Sequence, residues 1–286
     1  MYFAYHTRFS QPKCTSMGLK KIISFVVVSY LCSCWGLTPL VAQQKNKTDS
    51  LLKKAENSNS NLERIDLWLQ ASGQLSSTKT EKALEYAQKA LQLAQQIKAK
   101  PQIADANYQL SKLYLNHSTY TVWSIKYAQE AALLYAELNK LDYALAAYDL
   151  LDQGYTKVQN YDKAIESVMK AMAIYEKQKE QNAIAETYAR LGFLNRKKAN
   201  YVRALECLLK SLEIWENLKN KQKTAYIFDQ IALLYEDQNN FTKSLNFYSK
   251  SLELHQQLKD RYKIAQISKF IAQNYENLRD YNKALT

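Results

Sequence analysis

At 286 residues, with 47% hydrophobic and 23% charged side chains, the chain is long enough for one large domain or a repeat array and too apolar to be disordered by composition. Four of the 39 basic residues and none of the 27 acidic ones fall in residues 1–42, which reduces the net charge from +12 to +8 beyond them. That excess forms no continuous basic stripe, so nucleic acid is not an expected partner.

The first element in chain order is an export signal. Lys20 and Lys21 precede the uncharged run IISFVVVSYLCSCWGLTPLVA, Ile22 to Ala42, which ends on Ala42 before the polar QQKNK. A positive start, an apolar stretch and a small residue predict cleavage after Ala42. The 21 residues of this run are also enough to span a bilayer as an uncleaved anchor, and Cys34 after Leu31-Cys32-Ser33 offers a lipid-anchored form. In each case the positive flank stays inside and the rest of the chain is exported. Met17, directly before GLKK, is an alternative start to Met1. Cys14, Cys32 and Cys34 lie in or before this segment, so only Cys207 survives cleavage and no disulfide is expected.

Residues 43–60 read as a lead-in. The stretch TDSLLKKAENSNSNLE gives a short amphipathic helix and then a polar loop. From residue 61 to 286 the sequence repeats itself, because NYDKAIESV at Asn160, NYVRALECL at Asn200, NFTKSLNFY at Asn240 and DYNKALT at Asp280 recur at a spacing of forty residues. Five Gly and three Pro in the whole chain leave few tight turns, and the abundance of Ala, Leu, Lys, Glu and Gln predicts helices throughout and no β-sheet.

Each block carries two helical patterns. In the fourth, Tyr188, Leu191, Gly192 and Asn195 form the packing stripe of the first helix; the fifth gives Phe228, Ile231, Ala232 and Tyr235, and the sixth Ser268, Ile271, Ala272 and Tyr275. In the second block the stripe shifts by one residue to Asn107, Leu110, Ser111 and Tyr114, while the first block keeps a good second helix around Ala83, Ala87 and Ala90. After each polar turn comes an aromatic residue, Tyr161, Tyr201, Phe241 or Tyr281, then a second helix whose inner face starts at Ala164, Ala204, Ser244 or Ala284. Large residues three and four apart beside a small one predict two antiparallel helices in close contact.

This order of large, small and aromatic positions resembles tetratricopeptide repeats over about residues 61–286. The resemblance implies an all-α superhelix of antiparallel helix pairs, about five and a half repeats long. The period of forty exceeds the usual thirty-four, and the added residues, as in IWENLKNKQK, are expected in the second helix and the link to the next repeat. Asp152 departs from the pattern by taking the small-residue place that Gly192 and Ala232 hold. As a buried carboxylate it needs a partner, either a neighbouring polar group or a groove contact.

Chemistry of the chain's own is not expected. The glycines are too scattered for a phosphate loop, His6, His117 and His255 form no pair or cluster, and Glu236-Asp237 reads as a solvated helix end, so no catalytic residue, cofactor or metal site is predicted. Cys207 reads as a small packed side chain, and most of the 22 tyrosines fall at packing positions.

In the family the resemblance names, ligands bind the concave wall built by the first helices. Carried over, those positions are Tyr108, Lys112 and Asn116; Asp149, Gln153 and Lys157; Glu186, Ala189 and Phe193; Tyr226, Asp229 and Leu233; and Lys269 and Gln273. The expected partner is a protein or peptide in this groove, with membrane contact only through the N-terminal segment or a later span. The basic and asparagine clamp some family members use for a peptide carboxylate is not reproduced, and only Arg190 matches one of its places. The chain resembles the exported repeat region of bacterial sensor proteins, which implies a sensory or interaction role in a longer signalling protein. The alternatives are a self-standing exported adaptor and the non-catalytic front of a sensor histidine kinase. The sixth repeat stops after RDYNKALT, at Thr286, so the chain reads as a fragment.

Overall fold

The computed structural model describes residues 47–77, 79–116 and 120–284. The apolar run 22–42, its cleavage site, Cys34, Met17 and His117 lie outside them. Among the described residues there is no strand, and no helix is long and apolar enough to cross a membrane. A lead-in helix α1 (47–57) is followed by α2 (Asn61–Leu75), α3 (Thr80–Gln96), α4 (Lys100–Leu115), α5 (Thr121–Glu137), α6 (Leu141–Lys157) and α7 (Tyr161–Gln178). Then come α8 (Gln181–Lys197), α9 (Tyr201–Asn217), α10 (Lys221–Asp237), α11 (Phe241–Gln257), α12 (Arg261–Asn277) and the short α13 (Tyr281–Ala284). Arg64 ties the lead-in to the first repeat by donating to the carbonyls of Ala55 and Ser58.

Most turns pass through one left-handed residue, and those before α7 and α9–α12 also cap the next helix with an Asn or Asp side chain. Asn139, Gln159, Lys179, Ala199, Lys219, Asn239, Lys259 and Arg279 take the left-handed conformation at φ between 54° and 60°. After Gln159, the Asn160 N–H donates to the Tyr155 carbonyl at 2.8 Å while its side chain accepts from Lys163 N–H at 3.2 Å. The first bond satisfies the end of α6, and the second caps the start of α7. Asn200, Asn220, Asn240 and Asp260 cap their helices in the same way.

The added length of the repeat is shared differently from the sequence expectation. First helices α6, α8, α10 and α12 and second helices α9 and α11 are all 17 residues long. The link between repeats, as at 218–220, is no longer than the turn within one, as at 198–200. Lengthening one helix alone would leave its apolar stripe uncovered, so both lengthen together.

Small residues set the distance within each pair. Gly192 lies so close to α9 that a Cβ there would meet Leu208 at 2.7 and 2.8 Å and the Ala204 carbonyl at 3.3 Å. The equivalent Ser72 and Ser111 instead exchange hydrogen bonds with the second helix, Ser72 to the Ala83 carbonyl and Ser111 with Ser124. Alternate helices touch through the first helices, α2 with α4, α4 with α6 and α8 with α10, which puts these helices on the inner wall of the superhelix. Between α6 and α8, and between α10 and α12, that contact all but lapses.

Candidate functional site

Where α6 and α8 spread, a cleft of about 420 Å³ opens on the inner wall, floored by α7. Leu145, Tyr148, Val168 and Tyr175 supply its apolar and aromatic surface, and Asp149, Gln153, Glu186, Thr187 and Arg190 its polar one. The spread is held by an ion pair whose carboxylate is buried. Asp152 accepts from Arg190 Nε at 2.6 Å and from Nη2 at 2.9 Å, and Thr156 donates to it at 3.2 Å while accepting from the same Nη2 at 2.9 Å. The partner that Asp152 needs therefore comes from the next repeat, 38 residues along. A two-point guanidinium–carboxylate contact fixes the angle between α6 and α8 as well as their separation.

Asp149 sits beside this pair at the cleft edge and accepts from Gln153 Nε2 at 2.7 Å. Burial, and then the nearby Asp152 charge, push its carboxyl above the usual range, against the pull of Gln153 and Arg190. Burial, followed by Asp149, Glu186 and Asp142, likewise raises the Tyr175 hydroxyl. Glu186 is drawn toward the fifth repeat by Lys223 Nζ at 2.7 Å. With Asp152 matched by Arg190 and Glu186 by Lys223, Asp149 is the cleft acid whose only direct partner is a neutral amide.

The other groove positions are dispersed. Tyr108 packs edge-on against Tyr135, whose hydroxyl donates to Asp105 at 2.7 Å. Lys112 and Asn116 are exposed near the end of α4, and Lys157 donates to the Leu115 carbonyl there, so it ties α6 to α4. Phe193 is ringed by Arg190, Arg196 and Lys197, with the charges 4.9, 5.8 and 5.7 Å from its centroid. Tyr226 is exposed, while Ala189 and Asp229 are buried. Asp229 is 8% exposed, so it departs from an open-groove position, and burial pushes its carboxyl up to about 6 against the opposing pull of Ser251 and Lys263. Leu233 packs in the fifth-repeat core, and Lys269 and Gln273 are exposed on α12, away from the cleft.

Three predicted residues, Asp149, Gln153 and Glu186, thus share one cleft. Tyr148, Tyr175 and Thr187 join them without having been singled out. Tyr175 holds the second-helix place that Tyr135, Trp215 and His255 occupy in other repeats, where those side chains are buried. Cys207 is buried with its thiol pushed up by burial, and no group of three or more His, Cys, Asp or Glu is placed to hold a metal among the described residues.

Residues 183–257 match the tetratricopeptide repeat family. The fold is that of a tetratricopeptide-repeat solenoid. The apo form of RapI superposes with a TM-score of 0.61 at 15% identity, covering 76% of this chain and 81% of that one. The Q17M form of the tetratricopeptide-like repeats of a kinesin light chain from Podosopora anserina gives 0.59 at 12% identity, covering 69% of this chain and 97% of that one. BtubC (BKLC) from P. vanneervenii gives 0.56 at 18% identity, covering 75% and 87%. At such identities the likeness establishes the fold alone. No curated protein sequence matches.

Proposed function

We propose that this solenoid is a non-catalytic scaffold that binds an extended peptide or protein segment along its inner wall, centred on the α6–α8 cleft. The observation that carries this reading is the cleft itself: a mixed apolar and polar recess of about 420 Å³ on the inner wall, at one of the two places where neighbouring first helices separate. Its size lies in the range of ligand pockets, and its polar groups are held in place by hydrogen bonds within and between repeats. The apolar run 22–42 supports export, with the repeats outside the cytoplasm as the sensing or interaction part of a longer signalling protein.

Panning a displayed peptide library against the chain tests the scaffold reading. Replacing Asp149, Gln153 and Glu186 by Ala should weaken the selected peptides about tenfold or more, with the helical circular dichroism unchanged. Replacing Lys210 and Lys250 on the second helices is the control. Weakening by the control set alone would place the partner on the convex surface and refute the groove.

A further inference from the structure

The second repeat breaks a rule that the other repeats keep. The residue just before the small one at the start of the second helix is Lys82, Lys163, Arg203, Lys243 and Lys283 in the first, third, fourth, fifth and sixth repeats, but Trp123 in the second. The register is fixed by Ala83, Ser124, Ala164, Ala204 and Ser244, all fully buried. Three residues earlier, where Asn160, Asn200 and Asn240 cap their helices, the second repeat has Tyr120, and α5 has no side-chain cap. A surface cation and a stabilising cap have both been exchanged for aromatic rings. Core packing does not account for the exchange, because Trp123 remains 48% and Tyr120 47% exposed.

These rings form a continuous wall. Tyr114 stacks on Tyr127 at 5.7 Å, Tyr120 stands edge-on to Tyr114 at 6.0 Å, and Trp123 leans on Tyr127 at 6.4 Å. Lys79, Thr80, Glu81, Lys82 and Leu84, at the start of α3, face this wall across a groove of about 890 Å³. We propose that the groove is a saccharide-binding site, separate from the peptide cleft. A pyranose has an apolar C–H face, which a tryptophan or tyrosine ring covers, and a rim of hydroxyls that both donate and accept. The α3 side offers both functions, with the ammonium groups of Lys79 and Lys82 as donors and, as acceptors, the Glu81 carboxylate and the Thr80 hydroxyl, which itself donates to the Ser76 carbonyl. A purely apolar ligand would leave these groups unmatched. A membrane seat fits less well, because Glu81 lines the groove and the highly exposed Val122 lies outside it.

Calorimetric titration of the full chain with chitotetraose, cellotetraose and tetragalacturonate, each to millimolar concentration, tests the proposal. At least one should bind. Trp123→Lys, which restores the side chain of the other repeats, should weaken it by about tenfold or more with an unchanged melting temperature, and Trp123→Phe by less. Glu81→Gln should also weaken it if the acceptor is used as proposed. Failure of all three saccharides to bind, or equal binding by Trp123→Lys, overturns the site. Vesicles of phosphatidylcholine and phosphatidylglycerol form the second arm. Their capture by the native chain and loss in Trp123→Lys, without saccharide binding, would assign the wall to a membrane and also overturn the proposal.

Discussion

The junction between the third and fourth repeats and the junction between the fifth and sixth both bury polar side chains, but with opposite outcomes. At the first, Asp152, Arg190 and Thr156 satisfy one another across α6 and α8. At the second, Asn274 donates to Glu236 at 2.6 Å and to Ser244 at 3.1 Å, yet its own Oδ1 has no hydrogen-bond partner. Nor does either His255 nitrogen, and Asp229 Oδ1 is buried without a close hydrogen bond. At the first junction the guanidinium meets the carboxylate at two points. A buried acid beside a hydroxyl and a distant ammonium moves toward its neutral form, as Asp229 does.

The largest effect should come from breaking the paired junction unevenly. Arg190→Ala leaves Asp152 buried without its guanidinium partner, and should lower stability by about 2–4 kcal/mol in urea unfolding. Asp152→Ala should be milder. It supplies the small side chain that Ala232 shows the repeat accepts, and Arg190, with a third of its side chain exposed, can turn toward water. Equal losses from the two single changes would mean that the pair contributes only packing. Breaking the pair should also disturb the α6–α8 cleft, because the same atoms hold α6 and α8 apart.

The unpaired junction should respond to pH. The folded pKa of Asp229, at about 6, lies above the unfolded value of about 3.9, so the native state binds the extra proton. Its contribution is therefore fully present below about pH 4 and is lost as the pH rises through 6. Asp229→Asn should raise stability at pH 8 by about 1–3 kcal/mol and have little effect near pH 4. His255 acts in the other direction: burial lowers its pKa, so the native state loses stability as the pH falls below about 6.5, where the unfolded chain takes up the proton. His255→Phe should remove that acid-side loss while leaving the Asp229 effect in place. Melting curves from pH 4 to 8 on both variants separate the two, and a flat difference between Asp229→Asn and the native chain would show that Asp229 stays ionised.

Much of the scaffold was legible because it depends on local chemistry. The forty-residue period, the Asn residues at the turns and the small residue at Gly192 act within one helix pair, where sequence spacing is spatial spacing. The site was legible only in part. Asp152 announced its need for a partner, but the choice of Arg190 depends on how one repeat is rotated against the next. Asp149 and Asp229 hold the same repeat position two repeats apart, yet one edges a cleft and the other is buried. Tyr175 looked like packing because its equivalents are packing, and it reaches the cleft only where α6 and α8 separate. Trp123 was hidden by the same assumption about aromatics. Its signal was the missing Lys.

The smallest effect concerns the turns that join the two regions. Ala199 and Asn239 end equivalent first helices, at φ 59° and 56°. In this conformation a Cβ crowds the backbone. Asn tolerates it better than Ala because its short polar side chain can hydrogen-bond locally. Glycine has no Cβ to crowd, although it loses more freedom on folding. Ala199→Gly should therefore stabilise the chain by about 0.5–1 kcal/mol, and Asn239→Gly by less, within about 0.5 kcal/mol of zero. Neither change touches the buried polar groups, so the Arg190→Ala loss and the Asp229→Asn gain should add to it unchanged. Urea unfolding of the double variants checks this. Non-additivity in the fourth-repeat pair alone would mean that the turn at Ala199 helps to set the angle at which α8 presents Arg190 to Asp152.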